Sequence, residues 1–85
     1  MNEIRIIGIK VLDRIKEAGK TQLLLSKYAP IIRTRLGFHE VNSATCSRTG
    51  LIIIELSGNE TVWDKFESDL KEIGGIITDR MVFKL

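Results

Sequence analysis

The order of hydrophobic periods along this chain predicts a small α+β domain: strand, helix, strand, strand, helix, strand. Three observations carry that reading. Two stretches repeat their apolar residues with the 3.6-residue period of amphipathic helices. Four others are short, apolar and extended, and Asp13, Pro30, Ser57-Gly58-Asn59 and Gly74-Gly75 punctuate the sequence where elements should start or stop. The third is the strand Leu51-Ile52-Ile53-Ile54-Glu55-Leu56, apolar on both faces of its pleat in a chain too short to cover both faces itself.

Taken in order, Ile4 to Leu12 reads as a strand with Ile7, Ile9 and Val11 on one face and Ile4 and Ile6 on the other, where Gly8 leaves a gap. Asp13 is the expected cap of a helix from Arg14 to about Ala29. Its stripe is Ile15, Ala18, Leu25 and Ala29, flanked by Thr21 and Tyr28, and Pro30 ends it because a proline disfavours helical geometry at the residue before it. Ile31 to about Glu40 is extended, and the small polar residues 42–50 form a connection or a hairpin arm before the apolar strand. Asn59 or Thr61 caps a second helix whose Val62, Phe66, Leu70 and Ile73 recur on one side, with Trp63 beside them. Gly74-Gly75 stops it, and Ile76 to Leu85 is the last strand.

Two split βαβ units in this order predict a ferredoxin-like sandwich over residues 1–85, a single domain with a four-stranded antiparallel sheet and both helices on one face. The opposite face is then bare in a monomer. Ile4, Ile6, Leu51 and Ile53 fall on it, on the two central strands, and mark an expected oligomer interface. The expected partner is another copy of the chain, in a dimer or tetramer formed through the sheet.

Composition narrows the chemistry. With 85 residues there is room for one domain, and a net charge of +2 with bases and acids interleaved does not suggest nucleic acid. The central strands carry no aromatic residue on which RNA bases could stack, so no direct nucleic-acid partner is expected. A lone cysteine, no apolar run of membrane-spanning length and no signal-peptide pattern point to a cytoplasmic protein without a membrane partner. No catalytic constellation is visible and no cofactor is expected, so the chain reads as non-enzymatic. His39 and Cys46 are the only imidazole and thiol; one chain cannot complete a metal site with them, but two chains could offer two of each. That defines an alternative function, a metal-binding protein with an inter-subunit His/Cys site. Glu55 falls on the bare face, where Lys10, Arg80 or a partner's base could pair with it. Arg33 and Arg35 could face an anion or serve as a solvated edge.

The chain resembles the regulators of the iron-only hydrogenase system. The matching features are Asp13-Arg14, then Leu24-Leu25 and Tyr28, then Ile32-x-x-Arg35-x-Gly37, then Gly58, and finally Phe66-x-x-x-Leu70-x-x-Ile73-x-Gly75-Ile76. They span almost the whole chain and are packing patterns. That family is similar to the ligand-sensing modules of ACT domains and of the C-terminal part of the nickel-responsive repressor. The resemblance implies a ferredoxin-like fold, oligomers built through sheets, a regulatory role in hydrogenase expression or maturation, and room for a small-molecule ligand at the subunit boundary. It supplies no catalytic residue. With a single histidine, the chain lacks the set by which the nickel repressor holds its metal.

Overall fold

Strand β1 (Glu3–Val11) alternates along its length between residues sealed against the helices and residues that are half-buried or, at Lys10, exposed, as a two-residue period requires. The computed structural model describes residues 3–12, 14–41 and 46–85, with side chains at 3–12, 19–37 and 50–85. The expected cap Asp13 and the stripe residues Ile15 and Ala18 lie outside the described side chains. Helix α1 (Arg14–Lys27) ends two residues sooner than the periodicity suggests. Pro30 is the cause. It has no N–H to extend the α-helical ladder and disfavours α geometry at Ala29, so the chain tightens into a 3-10 turn over Ala29–Ile31 and leaves Ala29 exposed.

β2 (Ile32–Val41) and β3 (Cys46–Leu56) form an antiparallel pair, and β3 begins at Cys46, five residues before its apolar core. The small polar stretch is therefore a hairpin arm from Cys46 onward, held by its backbone ladder. Helix α2 (Glu60–Lys71) starts at Asn59, whose side chain accepts the Thr61 amide at 2.8 Å; this selects Asn59 over Thr61 as the cap. Beyond α2 the chain needs a left-handed residue to turn into β4 (Ile76–Lys84), and Gly75 supplies it with φ of 78°.

The sheet order is β2-β3-β1-β4, with every pair antiparallel. Four antiparallel strands and two helices fit a ferredoxin-like layout, with β1 and β3 in the centre as expected. Ile7, Ile9 and Val11 of β1 and Ile52, Ile54 and Leu56 of β3 make one wall of the core. Leu25 and Tyr28 from α1, and Trp63, Phe66 and Leu70 from α2, close it. Tyr28 and Phe66 pack with ring centroids 5.1 Å apart, and the Tyr28 hydroxyl donates to Asp69, tying the end of α1 to α2. That hydrogen bond, with burial, pushes the phenol above its ordinary value.

One cation enters this wall. Arg5 points to the helix side of β1, is only 7% exposed, and lies 5.3 Å over the Trp63 ring. Its guanidinium donates to Asp64 at 2.8 Å and Glu67 at 2.6 Å on α2, and to Glu3 at 3.2 Å on its own strand. Lys84 of β4 reaches the other oxygen of Glu3 at 3.4 Å, and Arg80 reaches Glu67 at 3.4 Å. Burial by itself would drive the Glu3 carboxyl up, but the bonds from Arg5 and Lys84 outweigh it and hold the acid below its usual range. Burial likewise opposes the charge on Arg5, and its three carboxylate partners overcome it and raise the guanidinium above its ordinary value.

Phe66 is wholly buried, so Phe66→Ala should cost about 3–5 kcal/mol of unfolding free energy, read from denaturant melts monitored by circular dichroism. Glu3 has a lowered folded-state value, so its charged form contributes stability above the ordinary carboxylate range, and that contribution disappears as pH falls through the lowered value. Glu3→Gln should therefore be less stable than the natural chain at neutral pH, with the gap closing on acidification. A gap that stays constant down to the acid-unfolded state would contradict the assignment.

Candidate functional site

Because both helices cover one face of the sheet, the other face is built from the opposite parity of each strand. The ladder aligns these residues in rows across β4, β1, β3 and β2. Phe83 stands beside Ile4 at one end. The next row is Met81, Ile6, Glu55 and Thr34; then Asp79, Gly8, Ile53 and Leu36; then Ile77, Lys10, Leu51 and Phe38. Phe38 takes its place here by backbone register.

The four residues expected on this face, Ile4, Ile6, Leu51 and Ile53, are brought together on the central strands and are half-buried by their own neighbours. Four more large apolar side chains extend the surface to both edges: Leu36 at 58% exposed, Ile77 and Met81 at 56%, and Phe83 at 49%. Sequence reasoning missed these four. The alternation Ile77, Asp79, Met81, Phe83 was readable, but Ile76 and Val82 make the other parity of β4 look equally apolar, so only the register against β1 decides which set faces outward.

Polar groups on this face are few. Glu55 accepts a 3.3 Å bond from the Thr34 hydroxyl. It does not pair with Arg80, as one expectation had it, because Arg80 belongs to the opposite parity of β4 and binds Glu67 beside α2. Nor does it pair with Lys10, which stands two rows away along the strands. Among the described residues Lys10 has no ion-pair partner. Arg35 is on the helix side, where its guanidinium donates to Gln22 of α1 at 2.6 Å.

The helix side carries an open groove of about 400 Å³ between α2 and β4, lined by Asp64, Glu67, Ser68, Lys71, Thr78, Asp79 and Arg80. Its acids and bases are largely engaged with one another: Glu67 holds Arg5 and Arg80, and Asp79 accepts the Arg80 amide at 2.8 Å. Among the described residues, no group of three or more His, Cys, Asp or Glu converges as metal ligands would. The side chains of His39 and Cys46 lie outside the described residues; their backbones occupy neighbouring strands of the β2–β3 hairpin, opposite Gly50 and Val41 respectively. No helix among the described residues is long and apolar enough to cross a membrane.

No family model and no curated protein matches the chain. Among solved structures it is similar to the uncharacterized protein TM1266 from Thermotoga maritima, with a TM-score of 0.76 and 24% identity over 96% of this chain and 99% of that one. The likeness is one of fold, and it extends over nearly the full length of both molecules.

Proposed function

We propose that this chain is a non-enzymatic regulatory module that self-associates by setting the uncovered sheet face of one copy against that of another. The architecture is read as a ferredoxin-like βαββαβ sandwich, supported by the element order and by the two helices sharing one face. The observation that carries the proposal is the extent of the apolar surface, eight large side chains on four strands among the described residues. Soluble monomers rarely present contiguous apolar patches beyond a few hundred Å².

Magnitudes favour a partner. Full burial of a large aliphatic or aromatic side chain contributes roughly 1.5–3 kcal/mol, so these partly covered ones would add about 1 kcal/mol each on pairing. Sixteen of them in a dimer would outweigh or match the roughly 4–15 kcal/mol lost to association entropy. The four central residues alone, eight in a dimer, would reach only the lower half of that range. The resemblance to regulators of the iron-only hydrogenase system supports a role in the expression or maturation of that enzyme. A small ligand at the subunit boundary would then act by shifting assembly or a partner contact.

Ile53→Glu places a carboxylate at the middle of the face without touching the helix-side core. Sedimentation should show the natural chain as a dimer or tetramer and the variant as a 9.6 kDa protomer with unchanged circular dichroism. Leu23→Glu, at an exposed position on α1, should leave the mass of the assembly unaltered. A folded Ile53→Glu protein of unchanged mass, or a natural chain that stays monomeric at high concentration, would refute the reading.

A further inference from the structure

We infer that the second copy docks with its strands antiparallel to the first, about a two-fold axis that crosses the strands at the row of Gly8 and Ile53, so that Lys10 of each copy lies beside Glu55 of the other. This rests on the proposed pairing of sheet faces and deepens it by fixing the geometry. An interface between identical faces of two copies is isologous, and its two-fold axis lies in the plane between the sheets. For a four-stranded sheet, two orientations of that axis stack the central strands on one another. One runs along the strands between β1 and β3, and the other runs across them.

Charge decides between the two. Lys10 stands one row beyond Gly8 along β1, and Glu55 stands one row beyond Ile53 in the opposite sense on β3. An axis along the strands keeps every residue in its own row. It would set Lys10 next to the partner's Lys10 and Glu55 next to the partner's Glu55, about one strand spacing (~4.8 Å) apart in projection. Like charges held that way inside an apolar contact are unfavourable. An axis across the strands at the Gly8–Ile53 row exchanges the two flanking rows. Lys10 then meets the row of the partner's Glu55, again one strand away, and symmetry repeats the pair. Lys10 lacks an ion-pair partner within its own described chain, and Glu55 has only a long bond from Thr34.

Gly8 is consistent with a packed face. It is a glycine in the middle of a central strand, its φ is not positive, and a Cβ added there would meet only Ile53 Cδ1 and the Asp79 carbonyl at 3.9 Å, an ordinary contact. Nothing within the described chain requires its missing side chain. On the proposed axis each Gly8 faces the partner's Gly8 and each Ile53 the partner's Ile53, so the gap lets the two β1 backbones approach closely. Asp79, the remaining charge of that row, is exposed on the edge strand. The axis sets it opposite the partner's Asp79, but at the exposed edge strand solvent screens the two carboxylates.

The test is a charge exchange read by sedimentation equilibrium at low and moderate salt. Lys10→Glu and Glu55→Lys should each raise the dimer dissociation constant by roughly ten- to thirtyfold, because each reverses two symmetric pairs. The double variant should return to within about threefold of the natural chain. Lys10→Gln and Glu55→Gln, the milder changes, should each weaken the dimer about threefold and reduce its salt dependence. Single exchanges that leave the dimer unaffected, or a double variant no better than either single, would overturn the antiparallel geometry. If Ile53→Glu still yields protomers in that case, the face reading stands and only the axis is wrong; if it does not, the face reading itself has failed.

Discussion

A β-sheet has two faces, and two short helices connecting four strands can cover only one of them. The rest of this molecule follows from how the sequence treats that shortage. On the covered side the chain commits its bulkiest residues, Trp63, Phe66, Tyr28 and Leu25, against Ile7, Ile9, Ile52 and Ile54. On the other side it does not switch to the polar residues usual for a solvated antiparallel sheet. It repeats Ile, Leu, Met and Phe across all four strands and, among the residues whose side chains are described, admits Lys10, Glu55, Asp79 and Thr34 as polar interruptions. A sequence under no demand beyond solubility would alternate more cleanly, and the departure from alternation is the physical basis for the proposed pairing.

The covered side has an interruption of its own, and it does a different job. Arg5 occupies a core-facing position of β1 near the sheet end, where α2 crosses. A buried cation is strongly unfavourable unless its donors are met, and here Glu3, Asp64 and Glu67 meet them while the Trp63 face supports the guanidinium. The directional demand of these bonds fixes how α2 is rotated and slid against β1, which apolar contact alone leaves loose. Between the helices the Tyr28–Asp69 hydrogen bond sets α1 against α2. Polar contacts thus locate both helices, and apolar burial supplies the bulk of the cohesion.

The element order was legible because punctuation and period agreed at nearly every boundary. Where they were silent the reading ran short. Residues 46–50 carry too little apolar character to announce a strand, yet they pair with β2 because the ladder is made by backbone groups. Trp63 illustrates a second limit. The stripe Val62, Phe66, Leu70, Ile73 is visible in sequence, but the helix turns so that Trp63, Phe66 and Leu70 face inward while Val62 and Ile73 stay at the margin. The indole can be sealed off because its N–H donates to the Ser57 carbonyl at 2.7 Å, a partner that sequence spacing does not reveal. Arg5 hid for the opposite reason: its parity pointed inward, but its chemistry argued for the surface. The central part of the bare face was visible because β1 and β3 are apolar at both parities, so either parity leaves aliphatic residues uncovered. Its outer part on β2 and β4 was not, since register belongs to the pair of strands and not to either one.

The edges of the sheet bear on which surface a second copy would use. An unprotected edge strand invites pairing through its free amides and carbonyls, and would compete with packing of the faces. Here β2 is disturbed by a bulge between Ile32 and Thr34 and carries Arg33 and Arg35. β4 carries Asp79, Arg80 and Lys84 along the other edge. Charges and irregularity of this kind weaken strand addition at both borders. The flat interior keeps its apolar rows, with one positive and one negative group set on either side of a glycine. Edges that discourage a neighbour, together with a face that lacks a cover, would direct the proposed association perpendicular to the sheet, and the placement of Lys10 and Glu55 would then make one of the two face-to-face orientations electrostatically favourable and the other unfavourable.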